Sequence, residues 1–303
     1  MPSNSITYFS PAKINLFLNV LQKRPDGYHE LETIMQTLDF GDDIQIVFGK
    51  NQGIEIHCDH PSVPRDTSNL VWKAIECFYR ASEIKNPGIS ITLRKRIPMG
   101  SGLGGGSSNA VTVLKALNQR HSFPLSDLNL HEIAAMLGSD TNFFLNIGTW
   151  FCTGRGEHLI RKIESRRWTF LLLFPGFESS TQKVYGRFLF DLTKHPSHHS
   201  LPLESSLSQG TLEELEKYIH NNLRAPFLSC YPQVKPLLGL IERELSIAKA
   251  TTCEKAKKVC VSGSGSTLFL ICDDDSDASF WMNRFRQKKM KVDGVIAHTQ
   301  DCL

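Results

Sequence analysis

Apolar side chains recur along the first half of the chain at intervals that switch between two and three to four, and each switch marks an element. Lys13 to Val20, then Ile44, Ile46 and Phe48, then Ile54 and Ile56 follow period two between polar turns, which predicts an antiparallel β opening. From Asn69 to Ala81 the stripe Leu70, Val71, Ala74, Ile75 and Phe78 predicts a helix. Ile89, Ile91 and Leu93 return to period two just before a glycine-rich loop, and Val111, Leu114 and Leu117 behind it resume helical spacing. Ser107 and Ser108 are good N-cap residues, so the helix is predicted to open there. A short helix is expected over His131 to Leu137, closed by Gly138, and aromatic-rich residues around Phe143 and Trp150 lead into further β structure.

The second half begins after the charged stretch Arg161 to Arg167, which sets expected domains of 1–162 and 163–303. The unbroken apolar run Trp168 to Phe174 predicts a buried strand. Residues 191 to 210, rich in Ser, His, Pro and Lys, look like a surface excursion, in which His195, His198 and His199 belong to a polar loop rather than a metal site. Leu212, Leu215, Ile219 and Leu223 predict one amphipathic helix. Val259 to Val261, the turn Gly263-Ser264-Gly265-Ser266, the run Leu268 to Cys272 and the stripe Ala278, Trp281, Met282 and Phe285 complete a sheet backed by helices. Asp273-Asp274-Asp275 reads as a solvated turn ending a strand.

Composition narrows the class without naming it. With 303 residues, 41% hydrophobic and 21% charged, the chain has the make-up of a soluble globular protein of one large or two ordinary domains. Its N-terminus lacks a signal-peptide pattern and no apolar run approaches the ~18 residues of a membrane span, so the expected location is cytoplasmic with no membrane partner. The eight cysteines form no Cys-x-x-Cys pair and read as reduced thiols, mostly buried. A net charge of +3 is too small for a nucleic-acid surface and suits an anionic small molecule. The lysines at 255, 257, 258, 288, 289 and 291 read as solvated faces.

Pro98-Met99-Gly100-Ser101-Gly102-Leu103-Gly104-Gly105-Gly106-Ser107-Ser108 carries the strongest chemical signal, with five glycines in seven residues ahead of a helix. Such a loop turns amide N–H groups toward an anion, and the helix N-terminus behind it adds roughly half a positive charge. Gly100, Gly102 and Gly105 also satisfy the dinucleotide fingerprint, although the acidic residue ending the next strand is missing and Asp127 looks like a helix start. Gly100 and Gly105 have the P-loop interval, yet Gly106 and Ser107 stand where Lys and Ser/Thr are needed. No Gly-x-Ser-x-Gly elbow suggests a hydrolase. A nucleotide-using enzyme leads, with a nicotinamide oxidoreductase as the other class.

The stretch 98–110 resembles the second motif of the GHMP kinases. Pro11-Ala12-Lys13-Ile14-Asn15-Leu16, Asp26-Gly27-Tyr28-His29, Gly104-Gly105-Gly106 and Gly138-Ser139-Asp140 resemble, in the same order, the branch of that family acting on a cytidyl diphosphate polyol. The resemblance implies a two-domain α+β fold: a ribosomal-protein-S5-like N-terminal domain and a ferredoxin-like C-terminal domain. It implies ATP and Mg²⁺, the latter arriving with the nucleotide, and a small-molecule alcohol as partners. It makes Asp140 the acid that accepts the hydroxyl proton and Lys13 the lysine that holds Asp140 and the reacting groups; because a neighbouring ammonium weakens a carboxylate as a base, Asp140 is expected to fix the hydroxyl and take its proton late, with Lys13 the cation on the γ-phosphoryl group. It places Tyr28 and Tyr185 on the two faces of a cytosine, His29 at its edge, and Thr181, Asn15, Gly263, Ser264 and Gly265 near the substrate. Asn69 and Lys95 fall to the adenosine side. Thr141-Asn142 replaces a commoner Val-Pro of the family, and Tyr185 stands where phenylalanine is frequent.

Overall fold

In the computed structural model, which describes residues 5–49, 53–188, 200–252 and 257–301, the chain builds two sheets with helices packed on them. The elements of the first half are β1 (Ser5–Lys23), β2 (His29–Phe48), β3 (Ile54–Cys58), α1 (Leu70–Ser82), β4 (Ile89–Arg94), α2 (Gly105–Arg120), α3 (Asp127–Leu137), α4 (Thr141–Leu145), β5 (Thr149–Gly154) and β6 (His158–Ile163). Those of the second are β7 (Thr169–Phe174), α5 (Thr181–Gly186), α6 (Ser200–Gln209), α7 (Leu212–Tyr218), β8 (His220–Asn221), α8 (Arg224–Cys230), α9 (Lys235–Thr252), β9 (Cys260–Val261), β10 (Leu268–Cys272), α10 (Asp275–Gln287) and β11 (Asp293–His298).

The first sheet grows around β2, which pairs β1 along its length, β5 through Leu31–Gln36 and β4 through Asp43–Phe48. Its strand order is β3-β4-β2-β1-β8, with β5 and β6 branching from β2. Ile44, Ile46, Ile91, Ile75, Phe78, Leu114 and Leu117 bury the face covered by α1, α2 and α3. The register of β1 on β2 shifts between Pro11 and Lys13. Proline has no N–H for the ladder and sits well at such a bulge, and a bulge re-aims the side chain beside it. Here that side chain is Lys13.

The second sheet has the order β11-β7-β10-β9 and is antiparallel throughout. With α5 to α9 between its first two strands and α10 between its last two, it forms a ferredoxin-like unit. Its central strands explain their unbroken apolar runs, because alternate side chains enter different cores. Leu171, Leu173 and Leu270 pack with Trp281, Phe285 and Ile241. Phe170, Leu172, Phe269 and Ile271 pack with Ile14 and Leu16 of β1 and with Leu207 and Leu215. The second core therefore ties the two sheets together, and β8 returns from the second half to pair β1 in parallel.

Several expectations need correction. Helix α2 opens at Gly105 with Gly104 as its cap at φ 73°, so Ser107 and Ser108 lie inside the first turn. Helix α3 begins earlier than His131, where Ser126 and Asn129 form a capping box. The charged stretch from Arg161 is partly strand, since β6 runs to Ile163 against β5. The excursion folds as α6 from Ser200, and its three histidines lie outside the described residues. The single helix over Leu212 to Leu223 is two pieces, because His220 and Asn221 leave helical geometry to pair with Phe17 and Leu18. Lys257 is not solvated: its ammonium is buried 2.6 Å from Asp277. Asp274 does more than end a strand, as its side chain caps α10. No helix of the described residues is long and apolar enough to cross a membrane.

Candidate active site

A cleft of about 390 Å³ opens between the glycine loop, the middle of β1 and β2, and the two turns that follow β7 and β9. That volume suits a small-molecule site. Lys13, Asn15, Tyr28, His29, Lys95, Pro98, Met99, Gly100, Ser101, Gly102, Gly104, Gly105, Gly106, Ser107, Asp140, Thr181, Tyr185, Gly263 and Ser264 all line it.

Four residues anticipated at the site lie off its wall. Leu103 is fully buried, and its carbonyl accepts from the Lys13 amide at 3.0 Å, locking the loop to β1. Ser108 bonds the Ser10 hydroxyl at 2.8 Å. The side chain of Asn69 caps α1, accepting from the Val71 amide at 2.9 Å and donating to the Pro64 carbonyl at 2.6 Å. Gly265 is packed so closely on Phe227 that a Cβ there would meet ring carbons at 2.7 Å. Each shapes the wall from behind.

At the centre, the Lys13 ammonium lies 3.2 Å from Asp140 Oδ2 and donates to Asn15 Oδ1 at 2.7 Å. Asn15 donates in turn to Thr33 at 2.9 Å, and Thr33 to the Phe17 carbonyl at 2.7 Å, so the lysine is aimed by a buried chain of partners. Asp140 occupies the N-cap position of α4 but makes no side-chain cap bond, which leaves its one-third exposed carboxylate turned into the cleft. The corner that presents it is held by the Thr141 hydroxyl, which donates to the Gly138 carbonyl at 2.6 Å, and by Asn142, which donates to the Glu157 carbonyl at 3.2 Å. The unusual Thr-Asn pair thus fixes this backbone with side-chain hydrogen bonds.

One end of the cleft is backbone. Gly100, Gly102 and Gly104 have φ of 57°, 77° and 73°, a run of left-handed residues ending at the N-terminus of the 16-residue helix α2. Alternating hand turns successive amides to one side and forms an anion-binding concavity. The second half of the chain clamps this loop: Ser179 donates to the Gly100 carbonyl at 2.8 Å, Thr267 to that of Ser101 at 3.0 Å, and the Ser262 hydroxyl to that of Gly102 at 3.0 Å. Lys95 is already engaged, ion-paired with the fully buried Asp42 and donating to Asn109 at 3.0 Å. Asp42 also accepts from the amides of Arg96 and Ile97, both at 2.8 Å, so this network braces the loop's flank.

The other end is built of rings. His29 and Tyr185 approach to 5.0 Å between centroids. Burial, then Lys23, lowers the His29 pKa, which favours the neutral ring. Burial, then the Asp140 charge, raises the Tyr185 phenol well above its usual range. Tyr28, half exposed at the mouth, is held in its turn by its amide bond to Asp26 at 3.1 Å, and its ring faces Arg155 rather than Tyr185. Thr181 opens α5 and lies 3.0 Å from the Ser264 hydroxyl, joining the two turns of the second half.

Sequence reasoning missed Leu18, Leu31, Met35, Leu70, Ile97 and Arg155 on this wall. The first five carry only the apolar periodicity of their elements. Arg155 stands in Thr153-Gly154-Arg155-Gly156, a turn whose two glycines have φ of 71° and 112°. Among the described residues no group of three or more His, Cys, Asp or Glu side chains could hold a metal ion.

Residues 69–145 match the GHMP kinases N terminal domain and residues 203–291 the GHMP kinases C terminal domain. The chain is 32% identical over 299 residues to the 4-diphosphocytidyl-2-C-methyl-D-erythritol kinase of Trichormus variabilis, covering 93% of this chain and 92% of that protein. It is 36% identical over 270 residues to the same-named protein of Syntrophus aciditrophicus, covering 89% and 90%. Among solved structures, a 4-(cytidine 5'-diphospho)-2C-methyl-D-erythritol kinase superposes with a TM-score of 0.75 at 27% identity, covering 97% of this chain and all of that one. The homoserine kinase of Cytophaga hutchinsonii, at 15% identity and a TM-score of 0.71 over 99% of this chain and 96% of that one, shares the fold. The chain is an ATP-dependent small-molecule phosphotransferase that belongs to the GHMP kinases and, within them, to the 4-diphosphocytidyl-2-C-methyl-D-erythritol kinase family.

Proposed function

We propose that the chain transfers the γ-phosphoryl group of ATP to the 2-hydroxyl of 4-diphosphocytidyl-2-C-methyl-D-erythritol, giving the 2-phosphate and ADP in the non-mevalonate route to isoprenoid precursors. The observation that carries this reading is the Lys13–Asp140 pair, 3.2 Å apart between a phosphate-shaped backbone loop and a ring-lined end of one cleft. The substrate is the one for which the relatives are named.

In this reading the triphosphate lies along the amides of 100–106 with its γ-phosphoryl group toward Lys13. The rings of Tyr28 and Tyr185 hold the cytosine, with His29 at its polar edge and Asn15, Thr181 and Ser264 beside the polyol. The hydroxyl oxygen bonds phosphorus as the bond to the β-phosphate oxygen breaks, and ADP leaves. Phosphoryl transfer asks mainly for alignment and charge stabilisation. Asp140 aligns the hydroxyl by accepting its hydrogen bond and takes the proton late, while Lys13 neutralises charge on the equatorial oxygens. Asn69 serves the nucleotide from behind the wall, through α1, and Lys95 from the wall itself, through the Asp42 network.

An ADP-release assay with diphosphocytidyl-methylerythritol, mevalonate, homoserine and galactose tests the proposal. Release should depend on the cytidyl alcohol alone. Release driven by one of the other alcohols, and not by the cytidyl one, would overturn it.

A further inference from the structure

Resting on that reading, we infer that Arg155 is a specificity-determining residue that binds the diphosphate of the cytidyl substrate while holding the Tyr28 ring. A substrate with its base among the rings and its hydroxyl at Asp140 must lay its diphosphate across the stretch between them. That dianionic link needs a cation once it leaves water.

Among the described residues, Lys13, Lys95 and Arg155 are the lysines and arginines lining the cleft. Lys13 is committed to Asp140 and Asn15 and, in the proposed reaction, to the γ-phosphoryl group. Lys95 is spent on Asp42 and Asn109. Arg155 spans the required interval. It sits in the turn between β5 and β6, where a Cβ on its neighbour Gly156 would lie 3.6 Å from Asp140 Oδ1, and its guanidinium stands 4.6 Å from the Tyr28 ring centroid.

The guanidinium is aimed but not used up. Its Nε meets Glu157 Oε1 at 3.2 Å, and Glu157 Oε2 accepts from the Arg155 amide, closing a rigid local ring. Nη2 has only a long bond to the Ala135 carbonyl at 3.4 Å, and Nη1 has no partner among the described residues. A planar fork with free donors, stacked on an aromatic face, is suited to a diphosphate in a way a lysine is not. Tyr28 gains as well, since a half-exposed ring held by a cation is set in place before the base arrives.

Calorimetric titration of cytidine and of cytidine diphosphate into the full chain tests this, alongside steady-state kinetics. Arg155→Met keeps the side-chain stem and removes the charge; Arg155→Lys restores charge without the fork. For Arg155→Met the Kd for cytidine diphosphate and the KM for the cytidyl alcohol should rise by about tenfold, the low end for a lost charge-assisted hydrogen bond. Cytidine affinity, kcat and the KM for ATP should stay within about twofold, and Arg155→Lys should recover part of the loss. Equal weakening of cytidine and its diphosphate would overturn the inference by reducing Arg155 to a prop for Tyr28, as would no weakening of either. A wild-type chain that binds neither ligand and releases no ADP would overturn the cytidyl reading itself, and the inference with it.

Discussion

Backbone walls the end of the cleft proposed for the phosphates, whereas the end proposed for the base is walled by side chains carried on separate elements, and the two ends should fail in different ways. The loop 100–106 is held through its carbonyls by the Ser179 and Thr267 amides and the Ser262 hydroxyl, so its shape depends on close approach of two chain segments. Tyr28, His29 and Tyr185 come from the β1–β2 turn, the start of β2 and the short helix α5, and each can be truncated without unseating the others. Damage at the first end should appear in stability and nucleotide affinity together. Damage at the second should appear in one substrate's KM. Lys13 and Asp140, where the ends meet, should govern kcat.

The largest effect is expected at that junction. Asp140→Asn and Lys13→Ala should each lower kcat by about 10²- to 10⁴-fold in folded protein, and near-normal turnover in either would remove the junction from the chemistry. Next comes Gly102→Ala. At φ 77° a Cβ would approach the Gly265 carbonyl oxygen to 2.9 Å and collide with that of Ser262. The strain and overpacking should cost about 2 to 4 kcal/mol in chemical denaturation and raise the KM for ATP. Tyr28→Ala should raise the KM for the cytidyl substrate about tenfold, equivalent to part of the 1 to 3 kcal/mol of base stacking, and leave that for ATP alone. Equal shifts in both would erase the contrast between the ends.

The smallest effect lies away from the cleft. His298 of β11 bonds Asp39 of β2 and Asp275 of α10, both at 2.6 Å, tying the second sheet to the first. Burial opposes its charge, but the two carboxylates prevail and raise its pKa. A group whose folded pKa exceeds its unfolded one stabilises fully below the unfolded value, near 6.5, and the benefit is lost as pH rises through the folded value. Thermal scans should show Tm falling by about 2 °C more across that window than in His298→Gln.

What could be read from the sequence follows how local each piece of physics is. The loop's glycines announce a phosphate shape by themselves, and the central strand Trp168 to Phe174 announces burial through its unbroken apolar run. The helix start was displaced because a left-handed Gly104 caps α2, which the usual preference for a serine cap conceals. The break at His220 escaped because Ile219 keeps helical spacing while the next residues pair with β1. Lys13 and Asp140, taken singly, look like a strand lysine and a helix cap. Their meeting depends on a bulge at Pro11 and a corner braced by Thr141, and only the family resemblance pointed to it in advance. Arg155 and Met35 carried no such signal. Lys257 looked like one of a basic run because its partner, Asp277, arrives with α10 from later in the chain.

The central claim is that one junction serves both ends of one cleft. Its most direct measurement is a crystal structure of the chain with a non-hydrolysable ATP analogue and the cytidyl alcohol. The account predicts the γ-phosphoryl group against Lys13 and the 2-hydroxyl within hydrogen-bond reach of Asp140, with the cytosine beside Tyr28, His29 and Tyr185. A triphosphate lying away from the glycine loop, or a polyol whose hydroxyl is out of reach of Asp140, would contradict it.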